Sequence, residues 1–398
     1  MRIAYICSDR GVALDGQSGS AVHVRDMVAA LSGRGHAVTV FSPNPGGARP
    51  FGAEVVDLSD DPVLAALRVR MAKALRESGR ERARAAETYS LLLNQTLLAR
   101  LSRSLRFDFV YERHSLWSIA GLQYAKQAGI PHFLEVNAPL AEQQSAYRAL
   151  EFVEAAGAIE SILFSSTDRM FVTAEALVEY AHARGATRSR VRVLRCGVSA
   201  SLLARRVVVQ PSSRSEFVIG FLGSLKPWHG LDVLLDAFAI LHADDSTYRL
   251  LIVGDGPLRG DLEQRSHELG FAEAVTMTGT VDHAEVGMYL ARMDVGVAAY
   301  PELSSFYFSP LKIWEYAAGS VPIAASESGE LPRLFPHKEA ALLHPPGNAR
   351  KLAKHIQRLR GNPEMAARLA RRAYRTAHLH TWDRLAARVE RAAKGLMR

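Results

Sequence analysis

Short apolar segments alternate with amphipathic helical stretches through the first half of the chain. The apolar segment RIAYICS is followed by a Gly/Ser-rich loop, LDGQSGS, an amphipathic stretch, AVHVRDMVAALSGRG, and a second apolar segment, AVTVFSP. Four more strand-like segments, FDFVYER, PHFLEVN, RMFVTA and VRVLRCG, follow in the same half. Continuous apolar strands that alternate with helices are typical of a parallel sheet covered on both faces. The pattern therefore predicts a doubly wound α/β domain.

The alternation begins again at Phe217 and continues through the second half. Its strand-like segments are FVIGFLGS, YRLLIVGDG, AVTMTG, VGVAAY, VPIAAS and AALLHPP. Between the halves, LLARRVVVQPSSRSE contains Pro211 and a serine cluster, which favours a linker. We predict two Rossmann-like domains in series and a C-terminal helix that packs back on the N-terminal domain, at 1–205, 216–375 and 376–398.

Length and composition agree with two globular domains. A chain of 398 residues is too long for one compact domain, and its hydrophobic fraction of 48% is ordinary for a soluble protein. No apolar run reaches the roughly 20 residues that cross a bilayer, and MRIAYICSDR lacks a secretory signal, so we expect a cytoplasmic protein. Cys7 and Cys196 fall in a predicted strand and a distant loop. We expect two free thiols and no Cys-based metal site.

The positive charge is concentrated in one predicted helical segment, 68–106. The whole chain has a net charge of +8, and this segment carries ten Lys or Arg against three Glu. It could face an anionic membrane surface, an acidic acceptor or a second copy of the chain in a homodimer, or be only a solvated helix face. Nucleic acid is not an expected partner, because Tyr89 is the segment's one aromatic residue and no nucleic-acid-binding motif is present.

A short, sharply bounded helix is predicted in SPLKIWEYAAGSVPIAAS. Ser309 suits the N-cap, Pro310 suits the first helical position, and Gly319 suits the C-terminal end. A helix that starts in this way leaves its first amide groups without intrahelical partners at the positive end of the helix dipole. Either this is an ordinary surface helix, or it is an anion cradle built from the amides of Leu311, Lys312 and Ile313.

Two strand-to-helix loops of the second half carry further candidate chemistry. LLIVGDGPLRG has the wrong spacing for a dinucleotide fingerprint, because its third glycine is Gly260, so hydride transfer is not expected. In IGFLGSLKPWHG, Ser224, Lys226 and His229 stand between a strand and a helix. Lys226 and His229 are candidates to neutralise a diphosphate, although His229 could equally be a helix-cap or surface histidine.

Taken in order and spacing, these motifs resemble the retaining GT-B glycosyltransferases of family 4. The resemblance covers nearly the whole chain. It implies two Rossmann-like domains that face a cleft, with a UDP- or GDP-sugar held mainly by the second domain. It also implies an acceptor on the first domain, either a small molecule, a glycan or a lipid-linked acceptor. The sugar is transferred with retention of anomeric configuration and without a metal ion or other cofactor.

The resemblance also assigns residues to the donor. Glu315 corresponds to the glutamate that binds the ribose hydroxyls, and Val281 borders the base. A loop of small residues, Gly16, Gly19 and Ser20, approaches the donor with backbone amides. The residues implied at the diphosphate are those of the helix start, namely Ser309, Pro310, Leu311 and Lys312.

Two departures from the family concern the donor. Tyr307 stands where the family has the first of its paired glutamates, so the carboxylate that usually touches the donor sugar is missing and the sugar stays open. Ser224 and His229 stand where the family usually has Arg and Lys on the phosphates. We therefore expect Lys226 and Lys312 to supply the positive charge.

A third departure lies in the first domain. Asn137 stands where the family often has a histidine, at the end of the PHFLEVNAPL strand. With Glu135 and His114 it is expected at the cleft, although a structural hydrogen bond explains His114 equally well.

Two other functions stay open. A GT-B nucleotide-sugar epimerase would need no acceptor, and Tyr307 and Ser224 are compatible with a catalytically decayed nucleotide-sugar-binding protein. The helix cradle and Glu315 argue against decay. The sequence therefore predicts a retaining, hexosyltransferase-like enzyme in the cytoplasm, with a peripheral position at the membrane as the alternative.

Overall fold

The computed structural model describes residues 1–47, 52–76, 79–147, 149–204, 215–303, 306–307, 309 and 311–397. The chain divides into two compact units. Unit 1 comprises Met1–Arg195, Tyr307–Ser309 and Asp383–Arg398, and unit 2 comprises Cys196–Phe306 and Pro310–Trp382. Most of the predicted linker, residues 205–214, lies outside the described residues.

Unit 1 is built on a parallel sheet. Its described strands are β1 (Arg2–Ile6), β2 (Ala37–Ser42), β3 (Glu54–Asp57), β4 (Phe109–Arg113), β5 (His132–Val136), β6 (Arg169–Val172) and β7 (Val191–Val193), in the order β3-β2-β1-β4-β5-β6-β7. The central strands are buried along nearly their whole length, which is why they were visible as continuous apolar runs. The edge strand β3 is half-exposed, and its weak apolar pattern was not predicted as a strand.

The helices of unit 1 follow the strands in the alternation that the sequence predicts. They are α1 (Gly19–Gly33), α2 (Pro62–Arg70), α3 (Ala72–Arg76), α4 (Arg80–Arg103), α5 (Ala120–Ala128), α6 (Leu140–Tyr147), α7 (Val153–Ser166) and α8 (Ala176–Ala183). The basic segment 68–106 is thus not one helix but parts of three, α2, α3 and α4. Helix α4 packs on the core through residues four positions apart, Tyr89, Leu93, Leu97 and Leu101.

Unit 2 repeats the architecture. Its described strands are β8 (Phe217–Leu222), β9 (Tyr248–Val253), β10 (Val275–Met277), β11 (Val295–Ala298), β12 (Ile323–Ser326) and β13 (Leu342–His344), all parallel, in the order β10-β9-β8-β11-β12-β13. Its helices are α9 (Ala200–Ala204), α10 (Leu231–Asp244), α11 (Arg259–Glu268), α12 (Val286–Leu290), α13 (Leu311–Ala318), α14 (Leu331–Leu334), α15 (Ala349–Gly361) and α16 (Pro363–His378). In both sheets the strand order reverses beside the unit's first strand, as in a Rossmann-like fold, so the prediction of two such domains is confirmed.

The last helix, α17 (Trp382–Leu396), joins unit 1 from Asp383 onward. There Arg34, the residue after α1, pairs with Asp383 at 3.0 Å and with Glu390 at 2.7 Å. The predicted start at 376 is too early, because α16 continues to His378 and packs Leu369 into the core of unit 2. Within the described ranges, no helix is both long enough and apolar enough to cross a bilayer.

Candidate functional site

In unit 2, the loops after β8 and β9 touch through their backbones at the carboxyl edge of the sheet. Gly223 and Gly254 have φ angles of +131° and +138°, and a Cβ on Gly254 would lie 2.1 Å from the Gly223 carbonyl oxygen. A Cβ on Gly256 would lie 2.6 Å from the Leu225 carbonyl oxygen. The Gly-x-Gly pair therefore allows close backbone packing, which explains a fingerprint-like motif without a dinucleotide.

Helix α13 begins close to the loop after β8, because the side chain of its second residue, Lys312, lies next to Gly223. Of the predicted start, Ser309 belongs to unit 1 and Pro310 lies outside the described residues. The helix ends at Ala318, as predicted, and the Gly319 amide donates to the Glu315 carbonyl at 2.8 Å. The left-handed residue is not Gly319 but Ser320, with φ of +57°, so the chain turns one residue later than the predicted glycine stop.

Lys312, the second residue of α13, is buried next to Gly223. Its side-chain nitrogen lies 4.2 Å from the ring centre of Phe221, and a Cβ on Gly223 would lie 3.4 Å from that nitrogen. No hydrogen-bond partner for this nitrogen exists among the described residues. Burial lowers the pKa of Lys312 to about 7. A buried amine without a partner at a helix start is well suited to receive an anion.

The other predicted phosphate ligands lie in the loop after β8. Lys226 is partly exposed, with its side-chain nitrogen 5.7 Å from the Trp228 ring centre. The Ser224 carbonyl accepts the Lys226 amide at 3.0 Å and lies 2.5 Å from Nδ1 of His229. Burial and then the charge of Lys312 lower the pKa of His229 to about 3. The expected cationic role of His229 is therefore not met in the unliganded protein, where its imidazole is neutral at pH 7.

Glu315 lies one helical turn after Lys312 and faces a histidine that the sequence analysis did not single out. Its Oε1 lies 3.6 Å from Nδ1 of His283, and its side chain keeps 13% exposure. His283 begins a short 3-10 helix two residues after the predicted base-contacting residue Val281, which is half-buried. The signal for His283 was its place in the TGTVDHAE loop, close to Val281. Glu315, His283 and Val281 thus come from two segments that the sequence assigned to the nucleoside.

Tyr307 is placed differently from the other predicted donor residues. It belongs to unit 1, where it is buried in a hydrophobic cluster with Leu134, Val136 and Phe164. Its apolar surroundings account for a tyrosine here on packing grounds.

In unit 1, Glu135 is the centre of a buried network at the end of β5. Its Oε1 lies 2.8 Å from His23 Nε2, accepts from Asn137 Nδ2 at 2.7 Å, and lies 3.3 Å from an Arg113 nitrogen. Its Oε2 accepts from the Tyr111 hydroxyl. Burial alone would raise the pKa of Glu135, but His23, Arg113 and Asn137 lower it to about 2. The carboxylate is therefore ionised at neutral pH.

The network fixes the orientation of Asn137. An ionised carboxylate only accepts hydrogen bonds, so the amide group facing Glu135 must be the nitrogen. The oxygen Oδ1 is then left as an acceptor, and no described residue donates to it. His23 and Arg113, which complete the network, were missed as site residues. Their signals were a histidine on the predicted buried face of α1 and an arginine at the end of a buried strand.

His114 does not join this network. Its side chain lies in a separate buried cluster, with Nε2 3.7 Å from Glu160 and the ring 5.3 Å from that of Phe164. Burial lowers the pKa of His114, so the ring is neutral at pH 7. Glu160 itself pairs with Arg184 at 2.7 Å and accepts from the Tyr180 hydroxyl. This arrangement favours the structural interpretation of His114.

The predicted amide loop of unit 1 is partly absorbed into helix α1. Gly19 and Ser20 are its first two residues, capped by Ser18. The Gly16 amide is not available to a ligand, because it donates to the Ala13 carbonyl at 2.9 Å in a turn. Arg25 holds that turn by donating to two carbonyls, those of Leu14 and Gly16, each at 2.5 Å. Amides for a ligand are therefore those of the helix start.

Comparison with known proteins shows the family to which the chain is similar. One family model, "Glycosyltransferase Family 4", matches residues 17–202, and another, "Glycosyl transferases group 1", matches residues 216–362. D-inositol 3-phosphate glycosyltransferase of Jonesia denitrificans is 27% identical over 190 residues, which cover 46% of this chain. The match spans 44% of that relative, less than half its length.

Solved structures extend the likeness over the whole chain. Sucrose-phosphate synthase from Thermosynechococcus elongatus has a TM-score of 0.76 at 20% identity, with 99% of this chain and 98% of the other covered. Anabaena HepE in complex with UDP-glucose has a TM-score of 0.73 at 15% identity, with coverages of 99% and 100%. These likenesses confirm the GT-B fold. Since the two family models match consecutive parts of the chain that correspond to its two Rossmann-like units, the protein belongs to the family 4 glycosyltransferases.

Proposed function

We propose that the protein transfers a sugar from a nucleotide-diphosphosugar to an acceptor, with retention of configuration and without a metal ion. The observation that carries the proposal is the start of α13, where Lys312 is buried without a partner and Glu315 follows one turn later. A cation beside helix amides suits a diphosphate, and a carboxylate suits the two hydroxyls of a ribose. The UDP-glucose bound by HepE is consistent with such a donor.

The chemistry proposed for unit 2 is the stabilisation of the departing diphosphate. As the bond between sugar and phosphate breaks, negative charge grows on the leaving oxygen, and groups already in position lower the barrier most. Lys312, Lys226 and the amides of α13 are proposed for this role. The acceptor hydroxyl attacks from the face that the diphosphate leaves, and its proton passes to that phosphate or to solvent.

Unit 1 is proposed to bind the acceptor. Asn137 offers an amide oxygen whose orientation is fixed by Glu135, and an oxygen of this kind accepts a hydrogen bond from a sugar or alcohol hydroxyl. Arg113 and His23 hold Glu135 in place, so they are positioning residues. The amides of Gly19 and Ser20 are proposed to approach the donor from the start of α1.

A membrane-bound acceptor is supported by the surface of α2. Only Leu64 and Leu67 of this helix turn toward α4 and the core, whereas Val63 and Val69 are 74% and 76% exposed. Arg68 and Arg70 flank Val69 in the sequence. Exposed apolar side chains beside basic ones suit the interface of an anionic bilayer. We therefore propose a peripheral position at the membrane over a homodimer contact.

The proposal is tested first by nucleotide binding. Thermal unfolding is measured with UDP, GDP, UDP-glucose and GDP-mannose. The nucleotides of one base, and not those of the other, should raise the apparent melting temperature, because a ligand of the folded state stabilises it by mass action. No shift with any of the four would contradict the proposed donor site. Incubation of the bound nucleotide sugar alone, followed by analysis of the sugar, then distinguishes an epimerase, since a transferase leaves the sugar's configuration unchanged.

A further inference from the structure

Lys312 is a buried amine that no described carboxylate contacts directly. Its exposed fraction is 6%, and its nitrogen has no hydrogen-bond partner in the part of the chain that the structure describes. The nitrogen lies 4.2 Å and 5.5 Å from the ring centres of Phe221 and Tyr300. Such cation–π contacts offset only part of the cost of removing an ammonium group from water. Burial therefore disfavours the ammonium form, and an anion beside the nitrogen would restore it.

The backbone around Lys312 leaves a place for that anion. As the second residue of α13, Lys312 lies among amides that have no intrahelical partner, at the positive end of the helix dipole. The loop after β8 passes beside the amine at Gly223, where a Cβ would lie 3.2 Å from the Lys312 Cε. Glycine at this turn keeps the space next to the amine open.

We propose that binding of a nucleotide-diphosphosugar in unit 2 is coupled to the uptake of one proton by Lys312. The inference rests on the function proposed above and adds that the donor is held by an ammonium formed as it binds. The step is balanced, because solvent supplies the proton, the amine nitrogen takes it, and the new N–H donates to a phosphate oxygen. No bond of the donor breaks in this step.

Other ionisable groups near Lys312 have separate, testable contributions. Glu315 raises the pKa of Lys312 by its charge, but burial outweighs it and lowers that pKa to about 7. His229 interacts with the charges of both Lys312 and Lys226, and burial keeps it neutral. The Tyr300 hydroxyl stays protonated, since burial raises its pKa. Among these groups, the ones that could take up a proton as the donor binds are Lys312 and, as the competitor, His229.

The predicted pH dependence follows from the direction of the shift. In the unliganded protein the pKa of Lys312 is about 7, and a bound diphosphate moves it back toward the ordinary value of 10.5. Protons are thus taken up on binding between these two values, and the affinity for the donor falls as pH rises above 7. Below pH 7 the amine already carries its proton, so uptake there is small.

The experiment measures protons directly. Calorimetric titrations with UDP-glucose and GDP-mannose are carried out in two buffers of different ionisation enthalpy, and the difference in heat gives the number of protons taken up. Nucleotide sugars are the right probes, because a terminal phosphate with a second pKa near 6 would itself titrate. For the probe that binds, we expect an uptake of about half a proton at pH 7 and close to one at pH 8.5.

Four variants identify the group that takes the proton. Lys312→Met should remove the uptake, and Lys312→Arg should bind without uptake because a guanidinium is always charged. Lys226→Met is the matched control, since it removes a lysine of the same site and should keep the uptake even where it weakens binding. His229→Gln should also keep it. Circular dichroism shows whether each variant folds. If Lys312→Met does not fold, the proton uptake measured for the wild type decides whether the inference stands.

The outcomes separate this inference from the proposed function. Uptake that rises between pH 7 and 8.5 and is lost in both Lys312 variants supports the inference. Binding without uptake in the wild type, or uptake that persists in Lys312→Met, overturns it and leaves the donor site intact. If neither probe nor UDP nor GDP binds, both the proposed function and the inference are overturned.

Discussion

Glu315 is a carboxylate whose proposed role can be separated from packing, because 13% of its side chain is exposed and its Oε1 lies 3.6 Å from Nδ1 of His283. Glu315→Ala should weaken the binding of nucleotide and nucleotide sugar alike by about 2 kcal/mol, the cost of losing a hydrogen bond to a charged group. Calorimetry measures this directly. Glu285→Ala, on the exposed side of the 3-10 helix that contains His283, is the control and should bind as the wild type does. Unchanged affinity in Glu315→Ala would remove Glu315 from the nucleoside site.

Asn137 tests the acceptor side at the same scale. Asn137→Ala removes the amide oxygen that Glu135 orients, and we expect kcat/KM for transfer to fall at least tenfold, corresponding to about 1.4 kcal/mol of transition-state binding. Nucleotide affinity in unit 2 should not change. Asn137→His, which introduces the residue that the family resemblance suggests at this position, should restore part of the activity. Equal losses of transfer and nucleotide binding would instead indicate a general structural defect.

A change at Glu135 is expected to lower the stability of the folded protein as well as its activity. Glu135→Gln leaves the half-buried Arg113 without its carboxylate partner, and loss of one member of a pair that is largely shielded from water typically costs about 3 kcal/mol of unfolding free energy. Chemical denaturation measures this loss. Glu112→Gln is a matched control, because Glu112 is equally buried but interacts with His132 and Ser118 and has no arginine partner in the described structure. If Glu135→Gln loses less unfolding free energy than Glu112→Gln, the charge of Arg113 does not depend on the Glu135 carboxylate, and the prediction is wrong.

At the scale of elements, the basic surface of α3 and α4 carries its own prediction. Reversal of Arg76, Arg80 and Arg84 to Glu should abolish sedimentation with anionic vesicles at low salt, since each basic residue near such a surface contributes about 1 kcal/mol. Binding of the wild type should weaken as salt is added, because screening shortens the range of the attraction.

The matched control for this experiment lies on α16 of unit 2. Reversal of three exposed arginines changes the net charge by the same amount at a different place and should leave vesicle binding in place; these are Arg371, Arg372 and Arg375. Val63→Ser with Val69→Ser should weaken vesicle binding without a change of charge. If neither set of changes on unit 1 affects vesicle binding, acceptor KM or oligomeric state, the segment is only a solvated face.

At the scale of the whole molecule, buried histidines are expected to make the folded protein less stable at acid pH. His344 is fully buried, neither ring nitrogen has a partner among the described residues, and burial followed by the charge of His355 lowers its pKa to about 4. The unfolded chain therefore binds more protons than the folded one between pH 6.5 and 4, and stability falls as pH falls through this window.

At pH 4, His344 is predicted to lower the unfolding free energy by up to about 3 kcal/mol. The lowered pKa of His229 acts in the same direction. Denaturant unfolding between pH 4 and 7.5 measures it. His344→Leu should flatten the curve, whereas His267→Leu, on an exposed position of α11, should not. A curve that keeps its slope in His344→Leu would show that other groups determine the acid response.

Much of the architecture could be predicted from the sequence, because burial on both faces of a parallel sheet produces apolar runs that need no knowledge of distant contacts. The strands of both sheets other than β3, the end of α13 and the order of motifs are of this local kind. The half-exposed β3, the division of 68–106 into three helices and the left-handed Ser320 were not predicted, since their local patterns are weak or ambiguous.

The candidate site divides along the same line. By itself the sequence determined which segments carry donor chemistry, because strand, glycine turn and helix start follow one another along the chain. Only the tertiary structure decided that Glu135 orients Asn137, because the ionisation of that carboxylate depends on His23 and Arg113 from other elements. Only the tertiary structure shows that Lys312 is a buried amine without a hydrogen-bond partner among the described residues. Its pKa is set by desolvation, and desolvation depends on which distant residues, Phe221 and Tyr300 among them, surround its nitrogen.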